Sequence, residues 1–330
     1  MSIRNLPSTS QRVRNAIRHQ PGAGIPTGEL TMDRRFMEAL LAWKGRRNLE
    51  KIGGLQMLIE CSRLLRHDLV CLQSDPVESD GPDSSTRLRD IPRVAGEGLF
   101  VFWVVDGAFQ RALHRHDFMA FMKDLAQRPD DVAREMERSS QEVTVLIEQG
   151  LNYGAHGIII ADDIAYQRST YISPVFGQRY LLPLWHRQVV AVKAQDIPVF
   201  FHSDGNLNGF LPLIVEAGFD GLQCIEAAAG MDIVNIRRTY GTRLCLMGNI
   251  DPTLLYDPVS HNHQDDKRPG LEGAVTNLIS GFGDSGGLIL GTSSGLHAGM
   301  SPERVWRMAA LVSACYTDLK RGTDFSQQSL

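Results

Sequence analysis

Eight short apolar runs, each followed by a stretch of helical periodicity, limit the fold of this chain more than any other feature. They are GIPTGEL (Gly24–Leu30), DLVCLQ (Asp68–Gln73), LFVFWVVD (Leu99–Asp106) and GIIIADD (Gly157–Asp163), followed by IPVFFHSD (Ile197–Asp204), GLQCIE (Gly221–Glu226), RLCLMGNID (Arg243–Asp251) and GLILGTSS (Gly287–Ser294). Continuous rather than alternating apolar residues mean strands covered on both faces, as in a parallel sheet with helices outside. Eight such units predict an α/β fold, a closed (β/α)8 TIM barrel, with a doubly wound open sheet as the alternative. No GxGxxG or Walker A pattern opens any of the helices, so the open-sheet reading lacks its usual nucleotide signals. Amphipathic stretches at Gln11–His19, Asp33–Trp43 and Leu49–Leu65 add helices near the N-terminus, and residues 1–330 read as one barrel domain.

A chain of 330 residues with 43% hydrophobic and 22% charged residues can bury a large core. Its formal charge of -4, with Lys and Arg dispersed, argues against nucleic acid or an anionic membrane surface as partner. A small molecule or another protein is expected instead. No run of about 18 apolar residues occurs, and residues 1–20 lack a signal-type apolar core, so a cytoplasmic protein is expected. Five scattered cysteines without a CxxC pair argue against structural disulfides and a zinc finger. Residues 74–97, rich in Pro, Gly, Asp and Ser, read either as a lid over a substrate or as a surface loop.

Barrel enzymes carry their chemistry at the carboxyl ends of the strands. Here those ends hold Glu29, Asp75, Asp106, Asp162 with Asp163, His202 with Asp204, Glu226, Asn249 with Asp251, and Thr292 to Ser294. Any one of these could merely cap a helix or sit in a turn, but together they ring one face. In FFHSDGN, His202 and Asp204 are two residues apart and so project to the same side. Imidazole and carboxylates form an acceptable first shell for zinc, with a position left for substrate. Alternatively, His202 works without metal as a general acid and base, with Asp204 or Asp162 fixing its tautomer. His261 and His263 read as a solvated loop, His114 and His116 as a solvated turn, and Cys224 as core.

The segments DDIAYQRSTYISPVFGQRYLLP (Asp162–Pro183), IPVFFHSDGN, EAGFDGLQCIEAAAGMDI, LMGNIDP and LILGTSSGLHAGMSPERV resemble, in order, the uroporphyrinogen decarboxylase superfamily. That resemblance implies a (β/α)8 barrel with its active site at the strand ends. True decarboxylases of the superfamily carry an arginine-rich RQAGR motif, where this chain reads GIPTGELTMDRR with Arg34 and Arg35. They also carry a GHG histidine, which aligns with Ser293, Ser294 and Gly295 here. The chain is closer to the branch of cobalamin-dependent methyltransferases, whose coenzyme M members bind zinc through His-X-Cys and a later cysteine. His202 matches the first ligand, Asp204 stands for the cysteine and Ser294 for the later one. An oxygen-rich site suits an ether, alcohol or amine better than a thiol.

The resemblance therefore implies methyl transfer between a small donor or acceptor and a corrinoid protein carrying methylcobalamin, with zinc held by His202, Asp204 and Glu226. Asp162, Asp163, His202 and Glu226 form the expected catalytic set. Glu29, Asp75, Asp106, Asn249 and Ser294 are expected to bind substrate. The alternatives are a porphyrinogen decarboxylase, with Asp75 or Asp162 on the pyrrole nitrogens, and a barrel that binds a small molecule without catalysis.

Overall fold

Seven of the eight apolar runs become strands because their residues can be buried on both faces, while GIPTGEL pairs only through an isolated bridge at Thr27. The computed structural model describes residues 7–22, 24–74, 84–257, 270–283 and 285–325. Its strands are β1 (Leu69–Gln73), β2 (Phe100–Asp106), β3 (Gly157–Ala161), β4 (Ala165–Tyr166), β5 (Ser169–Thr170), β6 (Val199–His202), β7 (Gly221–Gln223), β8 (Cys245–Ile250) and β9 (Leu288–Thr292). Seven form a sheet ordered β1-β2-β3-β6-β7-β8-β9, while β4 and β5 make a small antiparallel hairpin. With a helix between successive strands, this is the expected (β/α)8 class.

The chain divides into two compact units, residues 71–247 and residues 1–70 with 248–330. In the first of these, β2, β3 and β6 are buried almost throughout. Their outer cover includes the long helix Pro129–Asn152, which starts on a proline and two acidic residues, a favourable N-terminus. Trp185, fully buried on helix Leu182–Lys193, packs against Phe201, Phe210 and Phe219. Burying each such ring contributes roughly 1.5–3 kcal/mol, so this cluster fixes the floor beneath β6.

In the other unit, GIPTGEL takes the eighth strand position. Gly28 donates to the Leu290 carbonyl at 3.2 Å, Leu290 donates to Pro26 at 2.9 Å, and on the opposite side Asp68 donates to Thr27 at 2.7 Å. Arg12 bonds the Asp68 carboxylate, whose other oxygen accepts from Thr27 N–H at 2.9 Å. Glu29 then joins this segment to β9. Its buried carboxylate accepts from Thr292 N–H at 3.0 and 3.1 Å and from Thr292 Oγ1 at 2.5 Å. Burial outweighs these bonds and pushes Glu29 up to about 7.

Two local expectations are corrected. The stretch 74–97 is not all loop, because Ser84–Gly96 is a helix that accommodates Pro92; Asp75 and the rest of 75–83 lie outside the described residues. The single helix expected over Leu49–Leu65 is split at Gly53 and Gly54 into a 3-10 turn, Leu49–Lys51, and helix Gly54–Leu64. His261 and His263 also lie outside the described residues.

The closure at Leu290 leaves no room for a side chain on Gly291, since a Cβ there would sit 2.2 Å from the Gly28 carbonyl oxygen. Gly291→Ala is expected to lower unfolding free energy by about 1–3 kcal/mol in urea titration. Glu29 generates a pH dependence of definite sign. Its folded-state pKa lies above the value of 4.5 for the free group, so the native state holds the proton more tightly than the unfolded chain. That contribution to stability is full below pH 4.5 and is lost as pH rises through about 7. Glu29→Gln, which keeps an acceptor for Thr292, should flatten the decline in urea stability across this window.

Candidate functional site

The site is built in the unit 71–247 by the register of three parallel strands. Ala161 of β3 pairs with His202 of β6, and His202 pairs with Gln223 of β7. The pairing continues one residue past β3, where Asp162 N–H donates to the His202 carbonyl at 2.9 Å. Side chains alternate, so the residues two beyond the Ala161–His202 pair, Asp163 and Asp204, also come together. Asp204 N–H donates to Asp163 Oδ1 at 2.9 Å, and Asp163 Oδ1 lies 3.6 Å from His202 Nε2. One ligand atom from each of Asp163, His202 and Asp204 falls within 4.8 Å of the other two.

This geometry fits a metal ion. Two ligands bound tetrahedrally to one zinc lie about 3.3 Å apart, close to the separation of Nε2 and Oδ1. Among the described residues neither Asp163 nor Asp204 has a Lys or Arg ion partner. His202 is buried, its side chain 8% exposed, whereas Asp163 is 39% exposed, so the site opens toward solvent on its carboxylate side. The donors are one nitrogen and oxygens, a hard set suited to zinc, manganese or magnesium.

Asp162 and Asp163 are adjacent but have different surroundings. Asp162 is fully buried and accepts from Gln110 N–H and Trp185 Nε1–H, both at 2.9 Å. It thereby ties β3 to the first turn of helix Ala108–Leu113 and to the Trp185 cluster. A Cβ at Gly107, the residue before that helix, would lie 2.2 Å from Asp162 Cγ, so glycine is what lets the carboxyl reach the helix. Burial pushes Asp162 up to about 7 against these two bonds.

The segment after β7 supports the loop that follows His202. Gln223 Oε1 meets His202 Nδ1, Cys224 is hydrogen-bonded to Asp204, and Glu226 accepts from Gly205 N–H at 3.2 Å. Between Cys224 and Glu226, Ile225 has φ of 61°, in the left-handed region. A β-branched residue there costs about 1–3 kcal/mol, which the surrounding packing must offset. Cys224 is buried, and burial followed by the carboxylates around it pushes its thiol far up, so it stays protonated.

Of the expected ligand set, His202 and Asp204 cluster with Asp163, while the Glu226 carboxylate accepts from Gly205 N–H. Asp106 lies 3.4 Å from His114 Nδ1. Glu29, Asn249 and Ser294 belong to the other unit, where Glu29 bonds Thr292 and the Ser294 carbonyl contacts His297 Nε2 at 2.9 Å. Gln223 escaped notice in the sequence. A lone amide inside the apolar run GLQCIE was the available signal, but it acquires meaning only through its pairing with His202.

Known proteins agree with this architecture. The family model described as uroporphyrinogen decarboxylase (URO-D) matches residues 109–315, more than half of the chain. Similar proteins include the uroporphyrinogen decarboxylase of Shewanella sp. (strain ANA-3), 23% identical over 220 residues, covering 66% of this chain and 56% of the relative. That of Shewanella halifaxensis is 24% identical over 203 residues, covering 61% and 52%. The chain thus matches about half the length of these relatives. Among solved structures, a methyltransferase from Methanosarcina mazei superposes with a TM-score of 0.71 at 17% identity, covering 94% of this chain and 99% of that one. A B12-independent methionine synthase from Shewanella sp. W3-18-1 gives 0.52 at 10% identity, covering 91% and 96%. At such identities these two likenesses are of fold alone. The extent of the family match, in a chain whose (β/α)8 strand ends carry the site, places it: this chain belongs to the uroporphyrinogen decarboxylase family.

Proposed function

We propose that this protein is a methyltransferase that moves a methyl group between a small ether, alcohol or amine and a corrinoid protein, with a divalent metal at Asp163, His202 and Asp204. The observation that carries this reading is the uncompensated charge of that cluster. Asp163 and Asp204 stand without a Lys or Arg ion partner among the described residues, facing only the His202 imidazole, and Asp106 and Glu226 add acidity nearby. Such a site attracts a cation and repels a substrate bearing several carboxylates. That counts against a porphyrinogen, whose acid groups need arginines. The fold shared with a protein described as a methyltransferase is consistent with the reading.

When bound, the metal supplies Lewis acidity to the heteroatom that gives up or takes the methyl group. The protein's own groups do the rest. His202, Asp163 and Asp204 hold the ion, Glu226 fixes the loop backbone at Gly205, and Asp162 is a positioning residue that anchors the end of β3. The hairpin β4–β5 takes Asn206 N–H on the Tyr166 carbonyl at 2.9 Å and exposes the Tyr166 ring beside the Asp204 loop. A corrinoid protein would approach over this edge. Decarboxylation remains the second reading, favoured by the family and by the relatives' names.

The test is zinc titration by calorimetry together with methylcobalamin formation from cob(I)alamin and a panel of methyl ethers, methanol and methylamines. Stoichiometric zinc binding is expected, weakened about tenfold or more in His202→Ala, Asp163→Asn and Asp204→Asn, with loss of methyl transfer. Asp162→Asn should instead lower stability by about 1–3 kcal/mol, because its amide faces two donors. Conversion of uroporphyrinogen to coproporphyrinogen, with no methyl transfer to cobalamin, would overturn the proposal in favour of the second reading.

A further inference from the structure

The imidazole of His202 can serve two chemistries, and its tautomer selects between them. With the proton on Nε2, His202 would donate toward Asp163 and act as one half of an acid–base pair. With the proton on Nδ1, Nε2 keeps its lone pair and can bind a metal. The separation of 3.6 Å between Nε2 and Asp163 Oδ1 exceeds hydrogen-bond length but suits two ligands of one ion. On the other side of the ring, Nδ1 is in hydrogen-bond contact with Gln223 Oε1, an oxygen that can only accept. Gln223 is fully buried on β7, in register with His202, so its amide has little freedom to leave.

We propose that Gln223 is a positioning residue that holds the proton on His202 Nδ1 and so commits the site to metal binding. This rests on the metal reading given above and adds the device that enforces it. The orientation leaves Gln223 Nε2 buried without a hydrogen-bond partner among the described residues. A buried donor of this kind is costly unless something accepts from it. In the reversed orientation the amide NH2 would face Nδ1 and the imidazole proton would sit on Nε2, which histidine NMR distinguishes.

The experiment uses the whole protein, labelled with 15N-histidine and freed of metal, at mildly alkaline pH. His202 resonances are assigned by their loss in His202→Asn. The wild type is expected to show a protonated Nδ1 and an unprotonated Nε2. Gln223→Leu, of similar volume, should lose this pattern and weaken zinc binding about tenfold or more. Gln223→Glu, which keeps the acceptor, should preserve both. A protonated Nε2 in the wild type would overturn the proposal, as would a Gln223→Leu protein with unchanged resonances or unchanged zinc affinity. Absence of zinc binding by the wild type with the Nδ1 proton in place would instead defeat the metal reading, leaving the tautomer assignment standing.

Discussion

Parallel pairing of Ala161 with His202 and of His202 with Gln223 is the constraint on which the candidate site depends. Slipping the first pairing by one residue would replace Asp163 by Asp162 beside the imidazole, and slipping the second would take Gln223 away from it. The buried aromatic cluster under β6 and the hydrogen bonds of Asp162 to Gln110 and Trp185 guard that register from below. The segment after β7 guards it from the side, through Gln223, Cys224 and Glu226. Two neighbouring aspartates thus divide the work. One is buried and joins elements together, while the other is half exposed and available to a ligand.

Charge decides between the chemistries open to such a strand end. An imidazole beside carboxylates with no guanidinium among the described partners could hold a cation. Oxygen and nitrogen donors favour a hard or borderline ion over the softer thiolate centre that the superfamily's coenzyme M enzymes imply. In the proposed methyl transfer, aspartate at position 204 would suit a leaving or attacking atom of the oxygen or nitrogen type. Cys224 does not restore thiolate character. Its buried thiol is held protonated against Asp204 and serves the loop rather than the ion.

The strands were legible in the sequence because strands covered on both faces must be apolar along their whole length, and LFVFWVVD or GIIIA can be little else. Helix Ser84–Gly96 was not, since Pro92 lies inside it and its apolar stripe of Leu88, Ile91 and Val94 is short among Ser, Arg and Asp. His202 and Asp204 could be paired from spacing alone, because the period of two holds within one strand. That Asp163 rather than Asp162 meets the Asp204 backbone, and that Glu226 meets Gly205, depends on cross-strand register, which spacing within one strand does not carry. Gln223 was invisible for the same reason.

In the proposed site the ends of β3 and β6 would hold a metal through oxygen and one imidazole. X-ray absorption at the zinc edge of the metal-loaded protein reads those donors. A first shell of oxygen and nitrogen near 2.0–2.1 Å with one imidazole and no sulfur is expected, with loss of the imidazole contribution in His202→Ala. A sulfur scatterer near 2.3 Å, or a shell unchanged by that substitution, would contradict it.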